Sequence, residues 1–337
     1  MLTHANLWAN DINYITAFSI NARDVALIVA PVFHVSGLFA LTCTTLLMGG
    51  HVVLAPGFDA DFVFDAVDRY GVTMTFGVPA MMLFLSEHPW FGTANLSSLR
   101  LYIAGGAPVP QHLLHIYVTR GVPVSQCYGM SEVTSATVYL DPRDALHKLG
   151  SAGLAMMLAQ VRLLAEDGAV IDEAGVKGEI AVRGGNVSPG YWRNPDATAA
   201  TIDADGWLRT GDIGQMDGEG YLFVWDRVKD MLISGGKNVY PAEIENILLS
   251  RPAPPRPAIA RVAVIGRPDP RWGETVVAVA VVHAGHDLDL PALEDFCGDQ
   301  LARYKMLRAL HIVDSLPLNG SGKVIKARLR ALIEETA

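Results

Sequence analysis

"LRLYIAGGAPVPQHLLHIYVTRGVPVSQCYGMSE", residues 99–132, decides the fold. Its first run, "LRLYIAG", is short and apolar and stops at paired glycines. "PQHLLHIYV" then carries helical spacing, and "VPVSQCYG" is a second apolar run that again ends on glycine. Strands that are apolar throughout and joined through a helix indicate a parallel sheet covered on both faces, since neither face meets water. The pattern extends upstream. "VALIVAPV", "HVVLAP" and "VTMTFG" read as strands, with "LFALTCTTLLM", "DADFVFDAVDRY" and "PAMMLFLSEH" as helices between them. Ligands of open parallel sheets bind beyond the carboxyl ends of the strands. Chemistry is therefore expected in "FHVSG", "GVPA", "AGGAPVP" and "YGMSE", which follow those ends.

From about residue 150 the pattern changes to short alternating strands with Gly and Asp turns, "AQVRLLAEDG", "GEIAVRGG" and "GYLFVWD". These predict a small antiparallel barrel. A helix at "PAEIENILL", strands at "ARVAVIG" and "TVVAVAVVH", and two later helices then form a compact α+β unit. The expected class is α/β. Residues 1–228 form an amino-terminal domain, with an α/β part (1–145) and a barrel-like part (146–228), and residues 229–337 form a smaller α+β domain. "RPAPPRPA", 251–258, predicts a stiff surface loop. No internal repeat is visible.

Half of the 337 residues are hydrophobic, 18% are charged, and the mean hydropathy is +0.27, the profile of a globular chain with ample core. A formal charge of −9 opposes general nucleic-acid binding, which needs a basic face. One local exception spans 303–330, where Arg303, Lys305, Arg308, Lys323, Lys326, Arg328 and Arg330 face only Asp314. Such a run is usually a solvated helix face, but it also suits a phosphate-bearing ligand. Cys43, Cys127 and Cys297 are far apart, with neither metal spacing nor a disulfide framework, which fits a reducing cytoplasm. No secretory leader opens the chain. Residues 25–48 lack charge, but Pro31, His34 and Gly37 break them into a strand, a polar elbow and a buried helix instead of a membrane span.

Single motifs say little. In "SQCYGMSEVTSA", Ser131 and Glu132 stand at an expected helix start, where a cap and an acidic first turn are the plain reading. The functional reading makes Tyr128 a flat wall for a base, Ser131 a phosphate donor and Glu132 a magnesium ligand. The glycines of "GGAPVP" admit a planar ring close to backbone. "WLRTGDIG" sets Asp212 in an expected Gly-flanked turn, where a carboxylate could accept two ribose hydroxyls. "LPLNGSGKVIK" holds Lys323 on a flexible tip, but it is no phosphate loop of the Walker type. Pro317 stands where that loop needs glycine, and Val324 follows the lysine where it needs Ser or Thr.

Five stretches occur in order: "YGMSE", "GEIAVRGGNVSPGYWRNPDAT", "GWLRTGDIG", "GYLFVWDRVKDMLISGGKNVYPAEIE" and "LPLNGSGKVIK". Together they closely resemble the adenylate-forming superfamily of acyl-CoA synthetases, adenylation domains and beetle luciferases, from residue 1 to about residue 330. The resemblance implies ATP, Mg²⁺ and coenzyme A as cofactors and small-molecule substrates as partners. It implies that Gly105, Gly106 and Ala107 sandwich adenine with Tyr128 and Gly129, that Asp212 and Arg227 hold ribose, that Ser131 touches phosphate and that Glu132 binds Mg²⁺. It implies a hinge at Lys229, a pantetheine tunnel lined by Gly235 and Gly236, and a catalytic Lys323 bridging carboxylate and α-phosphate. His34 matches a position near the substrate carboxylate.

Some positions depart from the family pattern. Ser131 replaces the commoner Thr, and Asp226 stands where Gly is usual. The Ser/Thr/Gly-rich loop that in the family precedes "MLTHANL" is missing, so the chain alone is expected to be weakly active or inactive. Phe33-His34-Val35-Ser36 offers no carboxylate to a substrate amine, so amino acids are disfavoured. "GVPAMMLFL" (77–85) with Val133 and Thr134 reads as an apolar pocket lining without Arg. The expected activity is conversion of a medium- or long-chain fatty acid to acyl-AMP and then to its CoA thioester. The alternatives are an aryl-CoA ligase, a ligase loading a carrier protein, or a non-catalytic nucleotide-binding remnant.

Overall fold

The computed structural model describes residues 1–251, 258–318 and 324–334. It divides into two compact units: Met1–Thr210 with Gly214–Val224, and Gly211–Ile213 with Trp225–Ala337.

The first unit is built on a seven-stranded sheet, ordered β2-β1-β3-β4-β5-β6-β7. The strands are β1 (Val25–Ile28), β2 (His51–Leu54), β3 (Met74–Gly77), β4 (Leu101–Gly105), β5 (Val124–Tyr128), β6 (Val138–Tyr139) and β7 (Leu154–Ala155). Neighbours among β1 to β5 are parallel, whereas β6 and β7 run antiparallel. Alternate residues feed opposite faces. Leu27, Tyr102, Ala104 and Val124 enter a core with the helices Ala60–Tyr70, Pro79–Glu87 and Gln111–Thr119. Ala26, Ile28, Leu101 and Ile103 enter a second core with the first helix, His4–Phe18. Burial of both faces explains why these strands have no polar side. The uncharged stretch 25–48 is β1, an elbow, and a helical run broken by a π turn at Leu38–Thr42. Among the described residues no helix is long and apolar enough to cross a membrane.

A five-stranded antiparallel sheet follows, ordered β12-β11-β10-β8-β9. Its strands are β8 (Ala159–Leu164), β9 (Val170–Ile171), β10 (Lys177–Gly184), β11 (Leu208–Met216) and β12 (Leu222–Arg227). In the second unit, β13 (Leu232–Ser234), β14 (Lys237–Val239), β15 (Ile259–Asp269) and β16 (Gly273–Val282) pair in the order β14-β13-β16-β15, with β17 (Leu307–Ile312) parallel on β16. Val264 and Ala278 pack one face with the helices Pro241–Leu249 and Leu290–Gly298. Ile265 and Val277 pack the other face with the helix Lys326–Glu334.

One ion pair, with its carboxylate buried and its guanidinium partly open to water, fastens the amino edge of the large sheet. Arg100 forks onto Asp24 through Nε and Nη2, each at 2.8 Å, and its Nη1 donates to the Phe18 carbonyl at 3.0 Å. Thr73 Oγ1 and the Asn21 N–H also donate to Asp24, which is 3% exposed. Burial alone would raise this carboxyl. The Arg100 fork and the two further donors outweigh it, so the Asp24 pKa lies below its ordinary value. The folded state therefore holds Asp24 ionised more strongly than the unfolded chain does. That stability is complete above about pH 4 and is lost as the pH falls below it. Arg100→Leu leaves a buried anion unpaired and is expected to cost about 3 kcal/mol at pH 7 in urea unfolding. The deficit should shrink at pH 3.5, where the variant's buried Asp24, deprived of its guanidinium, is protonated and no longer an unpaired anion, and an equal deficit at both pH values would contradict this account.

Candidate active site

In the first unit, the residues expected to bind nucleotide cluster at the carboxyl ends of β4 and β5. Gly105 ends β4 and pairs with Cys127 in register, which places it beside Tyr128, the last residue of β5. A Cβ on Gly105 would lie 3.0 Å from the Phe76 ring, and one on Gly77 would lie 2.1 Å from Tyr102 Oη. Side chains beneath these two strand ends thus leave bare backbone as the only fit. Gly106 takes a φ of 86° to leave the strand. The loop is then pinned where the Val109 N–H donates to Gln126 Oε1 at 2.9 Å.

Beyond Tyr128 the chain reverses tightly. A Cβ on Gly129 would lie 2.1 Å from the Ser135 carbonyl oxygen and 2.6 Å from Ala136 Cα. The expected helix start at Ser131 and Glu132 is a single 3₁₀ turn, Ser131–Val133, because Thr134 adopts a φ of 69° and cannot continue a helix. Ser131 is exposed and Glu132 half-buried. Four hydrogen bonds from residues 186–191 hold this turn. Asn186 Nδ2 donates to the Val133 carbonyl (3.0 Å), and Thr134 Oγ1 donates to the Asn186 carbonyl (2.8 Å). The Ser188 N–H donates to the Glu132 carbonyl (2.7 Å), and the Tyr191 hydroxyl donates to Glu132 Oε1 (3.0 Å). Burial, and then the Glu132 carboxylate, push the Tyr191 hydroxyl pKa up, so it remains a donor.

His34, in the elbow after β1, caps the helical turn Val35–Gly37. Its Nδ1 accepts from the Ser36 N–H at 3.2 Å and lies 2.8 Å from Ser36 Oγ. The apolar lining expected at 77–85 survives only in part: Phe84 is exposed and Met81 half-buried, but other members are not available. Met82 and Leu85 are buried in the sheet–helix core, Val133 is buried in another core, and the Thr134 hydroxyl is bonded to backbone. The helix Pro79–Glu87 turns those side chains toward the sheet it covers. A groove of about 530 Å³ along the helix Ala60–Tyr70, lined by Asp61, Asp65, Asp68 and Trp90, includes none of the expected site residues.

In the second unit, Asp212 lies within β11 and not in a turn, because Gly211 at φ 72° redirects the strand without ending it. Arg227 Nε stands 3.6 Å from Asp212 Oδ1. Asp226 also has a structural role. Its Oδ2 accepts from the Ala242 N–H at 2.8 Å and its Oδ1 from the Arg227 N–H at 2.7 Å, capping a helix that begins with Pro241 and has no cap of its own. Burial raises the Asp226 pKa, and the nearby Lys326 charge opposes that rise. Gly235 and Gly236, at φ 60° and 71°, form the two-residue tip between β13 and β14, which requires positive φ at both positions. The Gly235 N–H donates to the Trp272 carbonyl at 2.9 Å, and a Cβ there would meet the Trp272 ring at 3.1 Å. The Arg271 and Arg308 guanidinium carbons lie 5.6 and 5.8 Å from that ring, giving an aromatic and basic patch of which sequence reasoning singled out only Arg308. Lys229 follows β12, and Lys323 lies outside the described residues.

A family description, AMP-binding enzyme, matches residues 1–192, and AMP-binding enzyme C-terminal domain matches residues 243–323. The chain belongs to the AMP-binding enzyme family. It is 43% identical over 330 residues to a feruloyl-CoA synthase of Amycolatopsis sp, covering 98% of this chain and 66% of that protein. It is also 43% identical over 333 residues to an indoleacetate–CoA ligase of Aromatoleum aromaticum, covering 99% and 64%. The o-succinylbenzoate CoA synthetase of Bacillus subtilis, solved with its acyl-adenylate intermediate, superimposes with a TM-score of 0.90 at 37% identity, covering 98% of this chain and 65% of that one. This AMP-binding family member thus spans about two thirds of the length of those relatives.

The tight approach at Gly129 makes a direct test of the site's geometry. Gly129→Ala is expected to cost about 2 kcal/mol in urea unfolding, because backbone must move to admit the methyl group. Gly92→Ala, where a Cβ meets nothing within 4 Å, should cost far less. Equal effects would contradict the close packing described here.

Proposed function

We propose that this protein takes part in ATP-dependent activation of an aromatic carboxylic acid to acyl-AMP, followed by transfer of the acyl group to the thiol of coenzyme A. The carrying observation is the bare-backbone edge at Gly105 beside Tyr128, continuous with the Ser131–Glu132 turn. It offers a flat slot for adenine, with a hydroxyl and a carboxylate at its end. In this reading Asp212 and Arg227 hold the ribose hydroxyls. Among the described residues no group of three or more His, Cys, Asp or Glu forms a metal cage. A lone carboxylate nevertheless fits Mg²⁺, which is commonly held by one or two carboxylates with substrate phosphates and water. Glu132 would hold it, and the ion would neutralise phosphate charge.

The chemistry needs a cation at the reacting centre. The acid oxygen attacks the α-phosphorus, pyrophosphate leaves, and negative charge builds on the phosphoryl oxygens. Lys323 is proposed to offset that charge, and losing such a preorganised donor costs about 10²–10³ in rate. The His34 imidazole would orient the acid. In the second step the thiol of coenzyme A attacks the acyl carbon and AMP leaves. The Gly235–Gly236 tip and the Trp272 patch, with Arg271 and Arg308, suit pantetheine and a phosphorylated nucleotide.

An aromatic acid is preferred over the fatty acid expected from sequence for two reasons. The similar proteins are named for ferulate, indoleacetate and succinylbenzoate. Met82, which would have adapted to a flexible chain, is committed to the core. Calorimetry with non-hydrolysable acyl-AMP mimics tests this reading. An aryl-acyl mimic should bind more tightly than a decanoyl mimic, and Asp212→Ala should weaken it at least tenfold. Tighter decanoyl binding would overturn the aromatic choice, and no binding of either mimic would overturn the adenylate site.

A further inference from the structure

The four hydrogen bonds from residues 186–191 do more than close a loop. They converge on Glu132 and its immediate neighbours, reaching its carbonyl, its carboxylate, the next carbonyl and the Thr134 hydroxyl. Thr134 is fully buried at a φ of 69°, a conformation costly for a β-branched residue and held only where surroundings impose it. The strap is anchored in turn. The Tyr191 N–H donates to Thr198 Oγ1 at 3.0 Å, on the helix Pro195–Thr201, whose cap is Asn194. Gly190, at φ 135°, passes so close to Thr198 that a Cβ would lie 2.4 Å from its Cγ2. The Tyr191 ring is thus delivered to Glu132 by a braced segment.

We propose that Tyr191 is a positioning residue for the divalent cation, fixing one oxygen of Glu132 by hydrogen bond so that the other is presented to the ion. A bare glutamate on a one-turn helix has three rotatable bonds, and immobilising it on cation binding costs entropy. The hydroxyl of Tyr191 removes part of that cost in advance. Its Oη donates to Oε1, so Oε2 is the oxygen left to coordinate. The partners that orient metal ligands commonly change metal affinity by 10- to 100-fold when removed. The proposal rests on the reading of Glu132 as the magnesium ligand and adds the residue that sets its rotamer.

Tyr191→Phe deletes one oxygen and keeps the ring. The readout is the ratio of ATP affinities measured by calorimetry with and without Mg²⁺, alongside the affinity for AMP in metal-free buffer. The ratio is expected to fall about tenfold in Tyr191→Phe, with AMP affinity unchanged within twofold and the melting temperature preserved. An unchanged ratio would overturn the proposal while leaving the adenylate site standing. A parallel loss of AMP affinity would also overturn it, since a merely structural tyrosine would disturb both ligands. If the unaltered protein binds neither ATP nor AMP, the proposed function fails, and the role of Tyr191 fails with it.

Discussion

The contact between Gly129 and the backbone of Ser135 and Ala136 is the constraint on which the candidate site depends. A single methyl group at 129 would fall 2.1 Å from a carbonyl oxygen, so only hydrogen fits there. Because the chain reverses so closely, β6 returns beside β5, with Tyr128 paired to Val138. The nine residues between them cannot form an ordinary helix. They form one 3₁₀ turn and a left-handed threonine, and the hydroxyl of Ser131 and the carboxylate of Glu132 stay at the carboxyl edge of the sheet. The strap at 186–191 then completes the hydrogen bonding that a longer helix would have supplied for itself.

Much of the fold was legible because burial on both sheet faces leaves an unmistakable trace. Runs such as 25–28 and 101–105 have no polar side, and glycines mark where strands such as 74–77 and 101–105 give way to their loops. The Gly-Gly tip at 235–236 was not read as a turn, although a two-residue hairpin asks for positive φ twice. The first helix, His4–Phe18, escaped notice for a physical reason. Asn6, Asn10 and Asn13 are among its buried residues, and Asn6 Nδ2 bonds the carbonyls of Gly185 and Val187 at 2.9 and 2.8 Å. Buried amides satisfied by distant backbone erase the apolar stripe that reveals a helix.

The candidate site was legible in its residue types and less so in its local geometry. Gly105, Tyr128, Ser131 and Glu132 lie along one sheet edge, and Asp212 pairs with Arg227. A Gly-Asp pair reads as a turn in sequence, yet Gly211 allows β11 to run on past it. Met82 read as adaptable pocket lining, but the register of its helix turns it into the core. Asp226 looked like an unexplained departure until its carboxylate was found capping the helix that starts at Pro241. Each of these facts belongs to tertiary contact, which spacing along the chain does not encode.

The most direct measurement of the central claim is acid-dependent exchange of labelled pyrophosphate into ATP, which occurs only when an enzyme forms acyl-AMP reversibly. The account predicts that the exchange this chain supports, however slow, needs Mg²⁺ and an aromatic acid and drops at least 100-fold in Lys323→Ala. Exchange indifferent to Lys323→Ala, or exchange supported by fatty acids and not by aromatic ones, would contradict it.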